Sequence, residues 1–140
     1  MCMDKGNYIG RFDQVLSALC DRIGTALAGI PPESKTGITE IRLRCGQPVI
    51  CTTAEGPLFF PLTGGVCRMP RAGLLHAERE DLEETFRRIC EYSVYTHQAE
   101  LNQGYVTMRG GHRAGICGRA VVSGGQIESI QDICAVNLRI

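Results

Sequence analysis

The stretch Gly104–Arg119, GYVTMRGGHRAGICGR, decides the fold. Tyr105, Val106, Thr107 and Met108 favour extended chain, and Arg109-Gly110-Gly111-His112 supplies turn chemistry. A second extended run follows from Arg113 to Val122, so the sequence predicts a hairpin. Strand alternation puts Arg113, Gly115, Cys117, Arg119 and Val121 on one face. The glycine between the two arginines admits close approach of another chain or a ligand. No acidic residue occurs from Leu101 to Ile127, so the hairpin is locally basic.

That basicity stands against a neutral whole. The 140 residues carry 15 basic and 15 acidic side chains. A chain of this length predicts one domain with its own core. Neutrality argues against a dedicated nucleic-acid or anionic-membrane binder, which normally has a basic excess. Thirteen of the basic residues are Arg and two are Lys (Lys5, Lys35). That bias suits fork-like recognition of carboxylate or phosphate, and it equally fits simple genomic composition. Eight cysteines are present, without a C-x-x-C pair or zinc-ligand spacing. Cys20 and Cys90 on helix faces and Cys117 in a strand are expected to act as small, reduced hydrophobes. The N-terminus MCMDKGNYIG lacks the apolar core of a secretory signal, and no run has the length of a membrane span.

Outward from the hairpin, Phe12, Val15, Leu16, Leu19, Ile23 and Leu27 fall at helical spacing and predict one helix over about Arg11–Ala28. Gly29 and Pro31-Pro32 end it, and Pro31–Gly37 reads as a polar linker or hinge. In Thr39–Cys45, TEIRLRC, the residues Thr39, Ile41, Leu43 and Cys45 face one way, and Glu40, Arg42 and Arg44 the other. That pattern is a half-buried strand. Gly46-Gln47-Pro48 turns into a strand over Val49–Thr53, and Ala54-Glu55-Gly56 into another over Leu58–Leu62, making a meander. Thr63–Leu75 reads as a loop. A second helix is predicted over Glu80–Tyr92. Its acids (Glu78, Glu80, Asp81, Glu83, Glu84) crowd the start and Arg87 and Arg88 come later, which complements the helix dipole. A short helix from Val94 to Asn102, capped by Ser93 and closed by Gly104, precedes the hairpin. Ser123-Gly124-Gly125 turns into two further strands, Gln126–Ile130 and Ala135–Ile140. The order predicts an α+β domain with a mostly antiparallel sheet and helices packed on it.

Chemistry-bearing motifs are sparse. The Walker A pattern G-x-x-x-x-G-K-[ST] is absent, and the glycine spacing of Gly111–Gly118 is wrong for a dinucleotide fingerprint. His76, His97 and His112 have no mutual metal-ligand spacing. His112, beside Gly110-Gly111, could meet an anion, but the expectation is a solvated turn residue. Cys117 and His112 fall on opposite faces, so no catalytic constellation is expected. Arg113 and Arg119 lie roughly 20 Å apart along a strand and cannot grip one phosphate together without a bulge. Two readings stay open for them: contacts to anionic partners, or an exposed face with weak ion pairs.

A set of residues in fixed order carries a resemblance. Glu40-Ile-Arg-Leu-Arg44 with Gly46-x-Pro48, Cys90-x-Tyr-Ser93-x-Tyr95, Glu100 and Gly104-Tyr-Val-Thr107 come first. Gly110-Gly-His-Arg-x-Gly-x-x-Gly-Arg119, Ile127-x-x-Ile130 and Asn137-Leu-Arg-Ile140 follow. Together, from about Ile38 to Ile140, the chain resembles the stage III sporulation protein AA family. The resemblance implies an N-terminal domain, residues 1–140, with a helix and linker over 1–37 and an α+β core over 38–140. It would be followed by a C-terminal P-loop ATPase domain, and the end of the chain inside an apparent strand fits such a division. It also implies a PAS-like fold, as in the N-terminal domains of type II and type IV secretion ATPases. The implied role is assembly and regulation of a sporulation ATPase that energises a mother cell-to-forespore channel. The implied partners are the ATPase domain, neighbouring subunits of a hexamer and channel proteins at the mother-cell membrane. The implied location is cytoplasmic and peripheral to that membrane. ATP and magnesium are implied for the full-length protein, with no cofactor in this segment. By position, Arg113 and Arg119, and after them Arg139, match the arginines that face nucleotide in those ATPases, with His112, Gly110 and Gly111 beside them. Two alternatives remain: a nucleic-acid-binding module using the Gly104–Arg119 hairpin, or a protein-docking domain without nucleotide contact.

Overall fold

The computed structural model describes residues 5–91 and 93–140, with backbone alone for residues 5–9. Helices α1 (Lys5–Leu16), α2 (Asp21–Ala28) and α3 (Pro32–Lys35) lead into strands β1 (Glu40–Arg44), β2 (Ile50–Thr53) and β3 (Gly56–Leu58). Helix α4 (Arg79–Ile89), a 3-10 turn (Val94–His97) and α5 (Gln98–Leu101) follow. Strands β4 (Tyr105–Thr107), β5 (Arg113–Ser123) and β6 (Gln126–Arg139) complete the chain. The six strands form one antiparallel sheet in the order β3-β2-β1-β6-β5-β4. The α+β expectation, the meander and the hairpin are all found.

Ile41, Leu43, Cys51, Val106, Ala114, Val136 and Leu138 point to one side of the sheet and are fully buried. Phe12, Val15, Leu19, Ile23 and Leu27 from α1 and α2, and Leu82, Phe86 and Ile89 from α4, close over them in one core. Burying a Leu, Ile or Phe side chain contributes about 1.5–3 kcal/mol. Among the described residues no helix covers the other side of the sheet, as an antiparallel sheet permits.

The predicted helix over Arg11–Ala28 is in fact two. The break at Ser17–Cys20 is capped from α4. The backbone N–H of Cys20 donates to Thr85 Oγ1 at 3.1 Å, and Arg88 donates to the carbonyl of Leu19 at 2.7 Å. Those partners satisfy groups that a continuous helix would have used internally. Asp81 ties the same corner. It accepts from the Glu78 N–H at 2.8 Å, from Arg22 Nε at 3.2 Å and from the Cys20 thiol at 3.3 Å. Burial alone would raise the Asp81 pKa, but these donors outweigh it and hold the carboxyl below its ordinary value.

The segment expected as a polar linker, Pro31–Gly37, contains α3. Lys35 is buried, bonds Asp13 at 3.1 Å and lies 5.8 Å from the Phe12 ring centre. The meander's third strand is Gly56–Leu58 rather than Leu58–Leu62, with Phe59 and Pro61 bridging Cys67 and Leu74 instead. Helix α4 ends at Ile89, and the expected end at Tyr92 lies outside the described residues. The helix expected over Val94–Asn102 splits into the 3-10 turn and α5, and Ser93 provides no side-chain cap. Cys20, Cys51 and Cys90 are buried as small hydrophobes, and burial pushes the Cys90 thiol up to about 11. Cys117 is exposed, contrary to the expectation.

The two C-terminal strands expected are one, β6, whose pairing with β5 shifts register twice, near Gly118 and between Val121 and Val122. Between the pairs Cys117↔Ala135 and Arg119↔Gln131, β5 spends one residue and β6 spends three, and Asp132 adopts φ 52°. Gly118 sits opposite this bulge. A Cβ there would lie 2.8 Å from Ile130 Cγ2 and 3.0 Å from the Gln131 carbonyl oxygen. Gly118, not Gly115, is therefore the glycine that close approach requires. Gly118→Ala should lower stability by about 1–3 kcal/mol through overpacking. Gly115→Ala, whose nearest neighbour would be 4.0 Å away, should cost clearly less. Urea midpoints of the two variants check this.

Candidate functional site: the open sheet face

Strand pairing lines up residues in rows across the open face. One row runs Thr107, Arg113, Arg139, Glu40, Thr52. The next runs Tyr105, Gly115, Asn137, Arg42, Ile50, and a third holds Cys117, Ala135 and Arg44. In these rows four arginines from three strands share one face with a single acid, Glu40.

The arginines elsewhere are mostly spent on ion pairs. Arg79 bonds Glu83 at 3.0 Å, Arg87 bonds Glu84 at 2.9 Å and Arg88 bonds Asp21 at 2.8 Å. Arg22 holds Asp81, Arg68 faces Glu55 at 4.0 Å, and Arg109 faces Glu91 at 3.9 Å. Among the described residues Arg44, Arg113 and Arg139 have no ion-pair partner, and all three are exposed on the open face. Arg42 is half-buried and reaches Glu40 at 3.5 Å. Its Nε and the Asn137 Oδ1, on residues paired across β1 and β6, are shielded from solvent and have no hydrogen-bond partner. Arg113 stacks on Tyr105, 4.2 Å from the ring centre, which fixes the guanidinium while leaving its N–H edge open.

The sequence candidates divide on this geometry. Arg113 and Arg139 are directly opposed and adjacent. Arg119 lies beyond the bulge and is engaged, with Nε on Asp132 at 3.2 Å and Nη2 on Gln131 at 2.7 Å. Asp132 also receives Arg79 at 3.4 Å.

His112, Gly110 and Gly111 form a different feature, the docking of the β4–β5 turn onto α1. His112 is 2% exposed rather than solvated, and its Nε2 meets Gln14 Oε1 at 2.9 Å. Its Nδ1 is buried without a partner. Gly110 (φ 89°) lies so close that an added Cβ would collide with the Gln14 side-chain amide. A pocket of about 290 Å³ opens beside it, lined among others by Ser17, Arg88, His97 and Arg109. No cluster of His, Cys, Asp and Glu among the described residues could hold a metal ion, and none of the described helices is long and apolar enough to cross a membrane.

Arg42 and Arg44 were not singled out from sequence. Their alternation with Ile41 and Leu43 put them on a solvent face. Only the β1–β6–β5 pairing joins that face to Arg113 and Arg139.

The architecture is that of an α+β domain with helices on one sheet face and an arginine-bearing open face on the other. The family model for "Sporulation stage III, protein AA" matches residues 10–140, and the chain belongs to this family. The chain is 31% identical over 128 residues to the stage III sporulation protein AA of Bacillus subtilis (strain 168). That alignment covers 91% of this chain and 38% of the relative, so the chain spans well under half of the relative's length. No solved structure matches. The family places the chain in sporulation.

Burial first, and Arg11 second, lower the pKa of His112 from its ordinary 6.5. The unfolded chain therefore takes up this proton at a higher pH than the folded one does. Below about pH 6.5 the unfolded state binds more protons, so stability falls as pH drops towards the folded value. Urea midpoints at pH 7.5 and 5.5 should show a larger decrease for the wild type than for His112→Gln.

Proposed function

We propose that this chain is the N-terminal assembly and regulatory domain of a sporulation ATPase that energises a mother cell-to-forespore channel. Family membership supports the sporulation context, and the 38% coverage of the relative leaves room there for a C-terminal P-loop ATPase domain. The PAS-like comparison to secretion ATPases belongs to this reading, and the antiparallel sheet with one helical layer is consistent with it. The full-length protein would act as a hexamer on the cytoplasmic side of the mother-cell membrane, with channel proteins as partners.

The observation that carries the reading is Arg113 and Arg139, adjacent on paired strands and without ion pairs among the described residues. Two guanidinium groups there suit the phosphate oxygens of ATP bound by a neighbouring subunit. Such preorganised charge stabilises phosphoryl transfer without reorganisation at the moment of reaction. Magnesium does not fit this face, whose one carboxylate, Glu40, is held by Arg42. The metal and the Walker loop would belong to the ATPase domain. This domain's own contribution is to position cationic N–H donors at the subunit boundary and to exclude water there.

In the full-length protein, Arg113→Ala and Arg139→Ala should each lower ATP turnover by about tenfold or more, and Arg119→Ala by less because Asp132 and Gln131 already occupy it. Steady-state phosphate release, with circular dichroism as the folding control, measures this. Unchanged turnover in Arg113→Ala and Arg139→Ala would remove the role.

A further inference from the structure

We infer that the open sheet face binds an extended acidic protein segment, lying along β1 and β6 and using Arg42 and Arg44 together with Arg139 and Arg113. This goes beyond the nucleotide role, does not depend on it, and assigns a function to two arginines that role leaves unused. The first argument is charge complementarity. The rows described hold four arginines and one acid, and among the described residues three of these arginines have no ion-pair partner, whereas Arg79, Arg87 and Arg88 on α4 do.

The second argument is spacing. Arg139, Arg42 and Arg44 occupy rows set by the pairs Glu40↔Arg139, Arg42↔Asn137 and Arg44↔Ala135. Successive rows on one face of a sheet are about 6.5–7 Å apart. Alternate side chains of an extended peptide repeat at the same distance. A segment with Asp or Glu at every second position would therefore place one carboxylate per row. A single phosphate would fill one row and leave the others unmatched.

The third argument separates peptide from nucleic acid. Aromatic stacking platforms are lacking, since the one aromatic ring in these rows, Tyr105, already carries Arg113. The zero net charge of the chain gives a polyanion no long-range attraction.

The test uses this chain and a fluorescein-labelled peptide of alternating Glu and Ser, read by fluorescence anisotropy at low and at physiological salt. The peptide should bind, and binding should weaken with salt. Arg42→Gln/Arg44→Gln should weaken it about tenfold, as expected for two ion pairs to the peptide lost together. Arg113→Gln/Arg139→Gln should have a similar effect. Arg79→Gln/Arg87→Gln changes net charge equally on α4 and should stay within about twofold. An alternating Lys and Ser peptide should not bind. Circular dichroism and urea midpoints establish that each variant is folded, and the Lys peptide keeps the test decisive on the wild type alone. Absence of binding at low salt, or an equal loss in the α4 variant, overturns the inference. Tighter binding of a single-stranded oligonucleotide, lost in the same sheet variants, overturns it in favour of nucleic acid. Full displacement of the peptide by millimolar inorganic phosphate overturns it in favour of a phosphate site.

Discussion

The register of β6 governs the rest of the molecule. It pairs with β1 on one side and β5 on the other, so it joins the meander to the hairpin. Its inward residues are Leu138 and Val136 two apart, then Ile133, Ile130 and Ile127 at intervals of three. A regular strand cannot keep both sets on one face. Two irregularities absorb the mismatch: the bulge around Asp132, given space by Gly118 on the neighbouring strand, and a second shift between the pairs Val121↔Ser129 and Val122↔Ile127. A one-residue slip against β1 would turn Leu138 outward and Arg139 inward. The same register that fills the core therefore assembles the arginine rows on the opposite face.

What could be read from the sequence was what depends on neighbours along the chain. The alternation in Thr39–Cys45 marked β1 and its polar face, and the turn chemistry at Arg109–His112 and Ser123–Gly125 marked the hairpins. The failures share one cause. The break between α1 and α2 is made by Thr85 and Arg88, which lie on α4, while the residues inside the break have helical periodicity. The continuity of β6 was hidden because its inward spacing matches neither two nor 3.6. His112 read as a solvated turn residue because its partner, Gln14, is 98 positions away. For the site, the arginine residue types were visible, but their grouping was not. Arg113 and Arg119 share a strand and still part company, because Asp132 and Gln131 engage one of them. Arg113 and Arg139 come together from different strands.

Composition also concealed the electrostatics. Equal counts of acids and bases suggest a surface without sign, yet the two charges are not mixed evenly. Acids cluster on and around α4, where Arg22, Arg79, Arg87 and Arg88 meet them. In the rows that cross β4, β5, β6, β1 and β2 on the open face, Glu40 is the one acid set against four guanidinium groups. Neutrality of the whole is a sum over a saturated helical side and an unsaturated sheet side. That distribution favours short-range recognition over long-range capture, because the field of the face is offset within a few Debye lengths by the rest of the chain.

The backbone beneath those arginines adds a further property. β1 and β6 are interior strands, each paired on both sides, so the Cα positions of Arg42, Arg44 and Arg139 are held by two ladders. Arg113 is held by β4, β6 and the ring of Tyr105. Arginines on a flexible loop would lose both backbone and side-chain freedom on binding. Here the backbone share has already been lost on folding. The helices cover one face of the sheet and make it rigid, and that rigidity lets an open face with few apolar residues present its charges at fixed spacing.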